Sequence, residues 1–509
     1  MPAISPLGGR PCARDGKARA GFAPRLIRWL PAAYAALVPT LFLSSSVDAY
    51  ILPRTGLTVL AGAVLFGLGL SACAGAFGSL RWPALAVAAT ATLAAIASVA
   101  PNLSLVGEYS RYESLPVRLA YLGLFFGAAW IGERRRLVAG FILGCTVASS
   151  EAVLQWVTGA LLRPDGNLGQ ADLLGALLAM AIPLAVDRAR WTPLWLAAAG
   201  VCGLGLVASA SRSAWLGALV GLCVVAAFRV STHRLRWVVA ASAVAVAVAV
   251  TVGLASPLRS LNRDTGSGRV GVWRDSVSLV ATRPLIGWGE DTFGVVFGRF
   301  QTGDWSPGES FDRAHSMPID LAASQGLLGL AACSWFFVTV WRGLWRQPRL
   351  AGLAGAMAAY LTWSLLNFDW APATGPLWLL AGAAWGGSGP EPEAQRALTG
   401  WWRPTVAGTA AVAALALVVS AQVADVLYFL GQPQQAAALD PLQPRYQAAT
   451  GGLLGLERAA VLNDPDPTTY VSLGDVLRAA GRSREAEAAY RRALQIYPFD
   501  RQARQRLTL

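Results

Sequence analysis

Charged residues are scarce in this sequence, and it contains only two histidines. Asp, Glu, Lys and Arg make up 14% of its 509 residues, whereas soluble domains average about 25%. A soluble chain of this length would need a far more polar surface. The shortage of charge therefore argues against a soluble protein, and the shortage of histidine argues against zinc chemistry.

The six cysteines are also isolated from one another. Cys12 lies in the basic N-terminal stretch, the other five lie within apolar blocks, and no CxxC pair occurs. Paired or metal-type spacings are the usual sign of disulfides and metal sites. We expect no disulfide framework, no metal and no cofactor.

Apolar residues are abundant, at 55% of the chain, with a mean hydropathy of +0.46. They fall into about thirteen blocks of roughly 16–25 residues, long enough to cross a ~30 Å hydrocarbon core as helices. Lipid offers the backbone no hydrogen-bond partners, so each block must be helical. The predicted fold is all-α, a polytopic transmembrane bundle of about 12–13 spans. The first span is predicted at 27–47 and the ninth at 237–254.

The net charge of +13 does not indicate nucleic-acid binding, because the arginines collect in alternate loops. Clusters precede the first span and recur at 134–136, 188–190, 229–236 and 342–349. This is the positive-inside pattern, which predicts a bacterial inner-membrane protein with a cytoplasmic N-terminus. An odd number of spans then places the C-terminus in the periplasm.

Three regions follow from this pattern. Residues 1–26 form a cytoplasmic basic tail, and 27–427 form the transmembrane domain. That domain contains a long extracytoplasmic loop at 256–316, whose aromatic residues are numerous enough to bury a small core. Polar loops of this length are usually functional or disordered, and the aromatics favour function.

Residues 428–509 are predicted to form a soluble, extracytoplasmic helical segment that contains one tetratricopeptide-type repeat. One repeat cannot bury its own apolar face, so it should lean on a neighbouring helical pair, on the loop or on a protein partner. A stabilising cap and a partner-docking surface are both open explanations. The expected packing positions of the repeat are Tyr470, Leu473, Gly474, Leu477, Ala486, Tyr490, Ala493 and Pro498.

Ionisable residues within or beside membrane helices must face protein or a wet cavity. In the predicted topology, Glu151, Asp172, Arg212, His315 and Asp369 all lie toward the outer side. We therefore predict an outward-facing polar pocket roofed by the loop. Glu151 is equally well explained by pairing with a neighbour on its own helix, and an arginine such as Arg212 can also extend to the membrane interface.

Five short motifs resemble those of the O-antigen ligase and polymerase-like membrane family. They are SRSA (211–214), GRVGVW (268–273), RPLIGWG (283–289), AHS (314–316) and QGLLG (325–329). The order of the motifs and their predicted topology make the resemblance specific, and it covers roughly residues 163–385. The sequence departs from the family pattern at Ser316, where asparagine is common.

The resemblance implies a set of site residues. Arg212 and Arg269 correspond to the two important arginines of the family, His315 to its histidine and Asp369 to an acidic position. We predict these three basic residues as catalytic. Asp369, Arg163, Glu151 and Trp273 are predicted to bind substrate, the last as a stacking surface for sugars.

The implied activity is transfer of a glycan from a polyprenyl-diphosphate carrier to a lipid or protein acceptor. The reaction would be metal-independent, because guanidinium groups bind phosphate oxygens and remain charged at every relevant pH. The acceptor is not encoded in the motifs. It is lipid A–core or similar for a ligase, a growing glycan for a repeat-unit polymerase, or a protein for an O-oligosaccharyltransferase. A membrane transporter and a membrane-anchored scaffold are the alternatives from other classes.

Overall fold

The computed structural model describes residues 27–72, 78–131, 133–229, 267–386 and 402–508. The structure is 74% helical, and no β-strand occurs within these ranges. The predicted fold class, an all-α polytopic membrane protein, is confirmed. The predicted ninth span, the basic tail and the first part of the loop lie outside the described residues.

The helices of the N-terminal part come before the gap at residues 230–266. They are α1 (Leu30–Leu37), α2 (Ile51–Ala72), α3 (Arg81–Ile96), α4 (Pro101–Val106), α5 (Leu115–Ile131), α6 (Arg134–Val157), α7 (Ala171–Arg188), α8 (Leu194–Ala208) and α9 (Arg212–Ala227).

The next helices belong to the loop and to the second membrane part. They are α10 (Ser267–Thr282), α11 (Phe293–Val296), α12 (Met317–Trp345), α13 (Ala351–Ser364), α14 (Ala371–Trp385) and α15 (Trp402–Phe429). The C-terminal segment follows with α16 (Pro433–Leu439), α17 (Pro444–Ala449), α18 (Gly452–Val461), α19 (Pro467–Ala479), α20 (Ser483–Ile496) and α21 (Arg501–Thr508).

Among the described residues, five helical segments are long and apolar enough to cross a membrane. These are α2, α3 with the short turn of helix before it, α6, α12 and α15. Shorter apolar helices are α5, α8 and α9. The prediction of one continuous first span at 27–47 is wrong, because α1 is only 8 residues long. Pro39 explains the early end, since proline lacks the N–H that would continue the helix.

Helices α7, α13 and α14 form the centre of the bundle and are buried along most of their lengths. By contrast, α8 and α15 expose large apolar side chains, including Leu194 at 73% and Val412 at 67%. Apolar exposure on this scale suits contact with lipid rather than with water. The chain is a multi-pass membrane protein with α7 at its core and α8 and α15 at its periphery.

Glycines allow the helices to approach closely. On the contact between α2 and α5, a Cβ atom at Gly123 would lie 2.3 Å from the carbonyl oxygen of Gly62. Gly221 and Gly355 meet in the same way between α9 and α13, at 2.7 Å. Small residues at such contacts let membrane helices pack backbone against backbone.

The two ends of α7 carry different chemistry. At its first turn Asp172 accepts a hydrogen bond from Ser211, and at its last turn Arg188 donates to the carbonyl oxygen of Arg135 at 2.6 Å. With its rise of 1.5 Å per residue, an 18-residue helix separates these ends by about 27 Å. Several arginines that were predicted to be cytoplasmic gather at the second end, which we call the basic end. The membrane orientation itself stays a prediction.

The described part of the long loop has a small core of its own. Trp288, Phe293 and Phe297 are buried there, together with Leu103 of α4. The C-terminal segment leans on this loop, because Tyr497 Oη lies 3.0 Å from Asp304 Oδ1 and accepts from the N–H of Gly308 at 2.8 Å.

The C-terminal helices pack as neighbouring helices should in a helical repeat. Tyr470, Leu477, Ala486 and Tyr490 are buried, and a Cβ atom at Gly474 would lie 2.3 Å from the Tyr490 ring. Assignment of this segment to the tetratricopeptide class stays a prediction.

We predict that Gly123→Ala destabilises the bundle by about 1–3 kcal/mol, because the added methyl group overpacks the contact with α2. Gly200→Ala on α8 is the matched control, since nothing lies within 4 Å of its Cβ position. Thermal unfolding in detergent measures both. Equal midpoints for the two variants would contradict the close contact between α2 and α5.

Candidate active site

The turn between α13 and α14 is the centre of the candidate site. We call residues 366–368 the central turn. Arg269 Nη1 donates to the carbonyl oxygen of Leu366 at 2.8 Å. The amide of Asn367 donates to the hydroxyl of Ser213, which follows Arg212, at 2.9 Å.

His315 completes this arrangement. Its ring packs edge-on against Phe368 of the central turn, with ring centroids 5.2 Å apart. The elements that carry the three predicted catalytic residues therefore meet at three successive positions of one turn.

Three helices also begin at this turn. Arg212 is the first residue of α9, Arg269 lies in the first turn of α10, and the N–H of Met317, which begins α12, donates to the Asn367 carbonyl oxygen at 2.7 Å. The first turn of a helix presents unpaired N–H groups and a partial positive charge. The three helix starts and the basic side chains bring positive charge to the turn, and Asp320 in the first turn of α12 and Asp369 bring negative charge beside it.

Arg163 and Asp172 hold the segment that precedes Arg212. Arg163 Nη2 lies 3.2 Å from Asp172 Oδ2, and Ser211 donates to the other carboxylate oxygen at 2.5 Å. Ala210 has a positive φ of 51°, an uncommon conformation for a residue with a side chain. Arg163, which was predicted to bind substrate, thus belongs to the contacts that hold the segment before Arg212.

The backbone around His315 is held from both sides. His315 itself has a φ of 55°. The preceding residue, Ala314, accepts from Trp273 Nε1 at 2.8 Å and donates its N–H to Asp320 Oδ1 at 2.7 Å. Left-handed backbone persists only where surrounding contacts impose it. Trp273, predicted as a stacking surface for sugars, uses its indole N–H to fix the histidine segment.

Asp369 lies next to the central turn and is 8% exposed. Its Oδ2 atom lies 2.6 Å from Arg118 Nη1, and its Oδ1 atom accepts from Tyr360 at 3.4 Å. Arg118 also lies 3.4 Å from Glu113 and 3.3 Å from Glu290. One guanidinium group thus joins three carboxylates in a buried network.

The sequence reasoning missed Arg118, although a signal was present. Arg118 lies in the first turn of the apolar helix α5, where an ionisable residue marks a functional or structural site. Its carboxylate partners could not be identified from the sequence, because Glu290 and Asp369 lie 172 and 251 residues away.

The RPLIGWG and QGLLG motifs meet where the helical conformation of α12 is interrupted. Gly326 lies within α12 with φ 70° and ψ −173°, so regular helix bonding is interrupted there. The loop supplies substitutes: the Trp288 N–H donates to the Ala323 carbonyl at 2.8 Å, and the Leu327 N–H donates to the Pro284 carbonyl at 2.7 Å. A broken membrane helix requires such partners. The break also lets Gln325 donate to Glu290 of the Arg118 network at 2.5 Å.

Glu151 stands apart from this arrangement. It is half-buried on α6, and in the described ranges none of the contacts that link the other predicted residues reaches it. These ranges also contain no group of three His, Cys, Asp or Glu side chains placed to hold a metal ion.

Residues 197–334 match the family model described as O-antigen ligase. The matched stretch includes Arg212, Arg269 and His315, whereas Arg163 and Asp369 lie outside it. It supports the O-antigen ligase resemblance and, in general terms, glycan transfer by a membrane enzyme. No curated protein matches the chain.

Burial changes the acid–base behaviour of the carboxyls around Arg118. Burial raises the pKa of Glu113, which lies two residues before α5, to about 7 from 4.5, although the charge of Arg118 acts in the opposite direction. Burial likewise raises the pKa of Glu290, again against the effect of Arg118. A carboxyl with a raised folded-state pKa binds more protons in the folded than in the unfolded protein.

We therefore predict that the protein is more stable at pH 5 than at pH 8. The contribution of Glu113 is fully present below pH 4.5 and is lost as the pH rises through about 7. Unfolding midpoints measured across this range should fall with pH, and Glu113→Gln should flatten the slope. Glu487→Gln on α20, where the side chain is 46% exposed, is the control. An identical slope in wild type and Glu113→Gln would contradict the assignment.

Proposed function

We propose that the protein transfers a glycan from a polyprenyl-diphosphate carrier to an acceptor hydroxyl on the extracytoplasmic side of the membrane. The observation that carries this proposal is the meeting of the Arg212, Arg269 and His315 segments at the central turn. The match of residues 197–334 to the O-antigen ligase family supports the same activity.

The arginines would act on the leaving group. Cleavage of the sugar–phosphate bond leaves an extra negative charge on the diphosphate, and the site must stabilise it. Arg212 and Arg269 offer guanidinium groups that bind phosphate oxygens through paired hydrogen bonds. The starts of α9, α10 and α12 add partial positive charge. Groups that are fixed before the reaction usually supply the largest catalytic contribution.

His315 would act as the general base. The acceptor oxygen attacks the anomeric carbon, and the hydroxyl proton passes to the imidazole. The bond from the anomeric carbon to the phosphate oxygen breaks, and its electron pair leaves with the diphosphate. An ordinary imidazole has a pKa near 6.5, which suits proton transfer near neutral pH. In-line attack opposite the leaving group inverts the anomeric centre.

The carrier lipid of the donor must lie close to this site. A cavity lined by Phe337, Leu377 and Trp378 adjoins Arg118 and Asp369, but it is too small to hold an isoprene unit. We propose that the isoprene units lie against the apolar outer surface of the bundle while the diphosphate reaches the central turn. The site lies at one end of α7, and the basic end is the other. By the positive-inside rule, the end of α7 that carries the site is extracytoplasmic.

The acceptor class distinguishes a ligase from its relatives. We favour lipid A–core or a similar glycolipid, which makes the protein a ligase. Transfer to a growing glycan would make it a repeat-unit polymerase, and transfer to a protein hydroxyl would make it an O-oligosaccharyltransferase. Supplying each acceptor separately to the purified protein decides between them.

The test is reconstitution with a polyprenyl-diphosphate glycan and candidate acceptors in the presence of a chelator. We expect product to form, and Arg212→Ala or Arg269→Ala to slow transfer by about 10²–10³-fold. His315→Ala should slow it by about 10²–10⁴-fold.

Arg274→Ala is the matched control, because Arg274 lies on α10 with Arg269 but its side chain is 64% exposed. Strict dependence on a divalent ion would overturn the arginine mechanism. Equal transfer rates for Arg269→Ala and Arg274→Ala would contradict the assignment of Arg269 to the active site. Transport of the glycan without transfer would indicate a membrane transporter.

A further inference from the structure

The basic end of the bundle contains a second concentration of arginines, separate from the candidate active site. Arg134 begins α6, and Arg135 follows it. Arg188, at the end of α7, donates to the Arg135 carbonyl oxygen at 2.6 Å. Arg349 precedes α13. The start of this helix packs against the end of α7, because a Cβ atom at Gly352 would lie 2.8 Å from the side chain of Asp187. Four arginines from three helix ends therefore lie together, and we call them the arginine cluster.

Their charges repel one another. Arg134 is close enough to Arg135 and Arg349 for both to act on it electrostatically, and Arg135 acts in the same way on Arg188. Solvated arginines of cytoplasmic loops ordinarily spread apart, because each gains by being fully hydrated. Here, helix packing holds them together.

The nearby acids are already engaged by other arginines. Glu133 pairs with Arg136 at 3.1 Å and with Arg28 at 3.8 Å. Asp187 pairs with Arg229 at 2.5 Å and with Arg190 at 3.4 Å. Asp187 also acts electrostatically on Arg188, but neither acid forms an ion pair with Arg134 or Arg135 in the part of the chain that the structure describes.

Arg134 provides the observation that points to a ligand. Its Nη1 atom is inaccessible to solvent and has no hydrogen-bond acceptor among the described residues. Leaving a buried charged donor unpaired is costly. An anion in the cluster would accept that hydrogen bond and would also relieve the repulsion between the arginines.

We propose that the arginine cluster binds the phosphate group of an anionic phospholipid. Guanidinium groups match phosphate geometry, and the start of α6 adds the positive end of a helix. The glutamate at its N-cap makes no side-chain capping bond. Basic pockets between membrane helices on the cytoplasmic side are suited to lipid headgroups.

The surrounding surface favours a lipid over a soluble phosphate. Leu143 and Val147 on α6 are 55% and 60% exposed, and Leu194 and Leu196 on the neighbouring α8 are 73% and 54% exposed. This apolar surface lies on the same two helices, beyond the cluster. Acyl chains attached to the bound phosphate can lie along it, whereas a free phosphate gains nothing from it.

The test uses the full-length chain in vesicles of phosphatidylcholine, either pure or mixed with phosphatidylglycerol. We expect phosphatidylglycerol to raise the unfolding temperature and to remain bound after purification. Arg134→Gln and Arg135→Gln should each weaken its retention about fivefold, the effect of one arginine near a membrane surface. Arg135 is exposed, so its replacement tests the site even if Arg134→Gln does not fold.

Two results would overturn the proposal. In the first, Arg274→Gln, far from the basic end, would reduce phosphatidylglycerol retention as much as Arg135→Gln does. In the second, inorganic phosphate would reproduce the whole stabilisation in detergent without lipid, which would make the cluster a site for soluble anions. Glycan transfer need not be measured, so failure here is independent of the proposed enzymatic function.

Discussion

The constraint on which this structure depends is that hydrocarbon offers no partners for buried polar groups. The break of α12 at Gly326 shows the consequence for the backbone, because the loop at Pro284 and Trp288 supplies the missing hydrogen bonds. Arg118 shows the consequence for charge, because three carboxylates surround it, two of them from distant segments. Both solutions join the loop to the helices, so the long insertion is part of the bundle and not an appendage.

The same constraint explains how the candidate site is built. Irregular backbone is tolerated in a membrane protein only where protein or water satisfies it, and here it gathers at one end. His315 and Ala210 adopt left-handed conformations there. The central turn then receives three helix starts, which bring partial positive charge to it, next to the buried carboxyls of Asp320 and Asp369. The fold thus brings three helix N-termini to the place where, in our proposal, a diphosphate is released.

The two ends of α7 lie beside two different proposed binding sites. One end carries Asp172 and the support of Arg212, and the other carries the arginine cluster. In our proposals, a diphosphate substrate occupies the first end and a structural phospholipid the second. The C-terminal helices bury their apolar faces against one another, and Tyr497 joins them to the loop.

The sequence by itself determined the features that depend on local composition. Hydropathy predicts the all-α membrane class, because any sufficiently long run of apolar residues is stable in lipid as a helix. The motifs indicate the segments that contain Arg212, Arg269 and His315. The tertiary structure alone revealed the Arg118 network, the supporting role of Trp273 and the early end of α1. It also left Glu151 outside the contacts that join the other described site residues. Partners such as Arg118 and Asp369 lie 251 residues apart, and only packing can decide which distant charges meet.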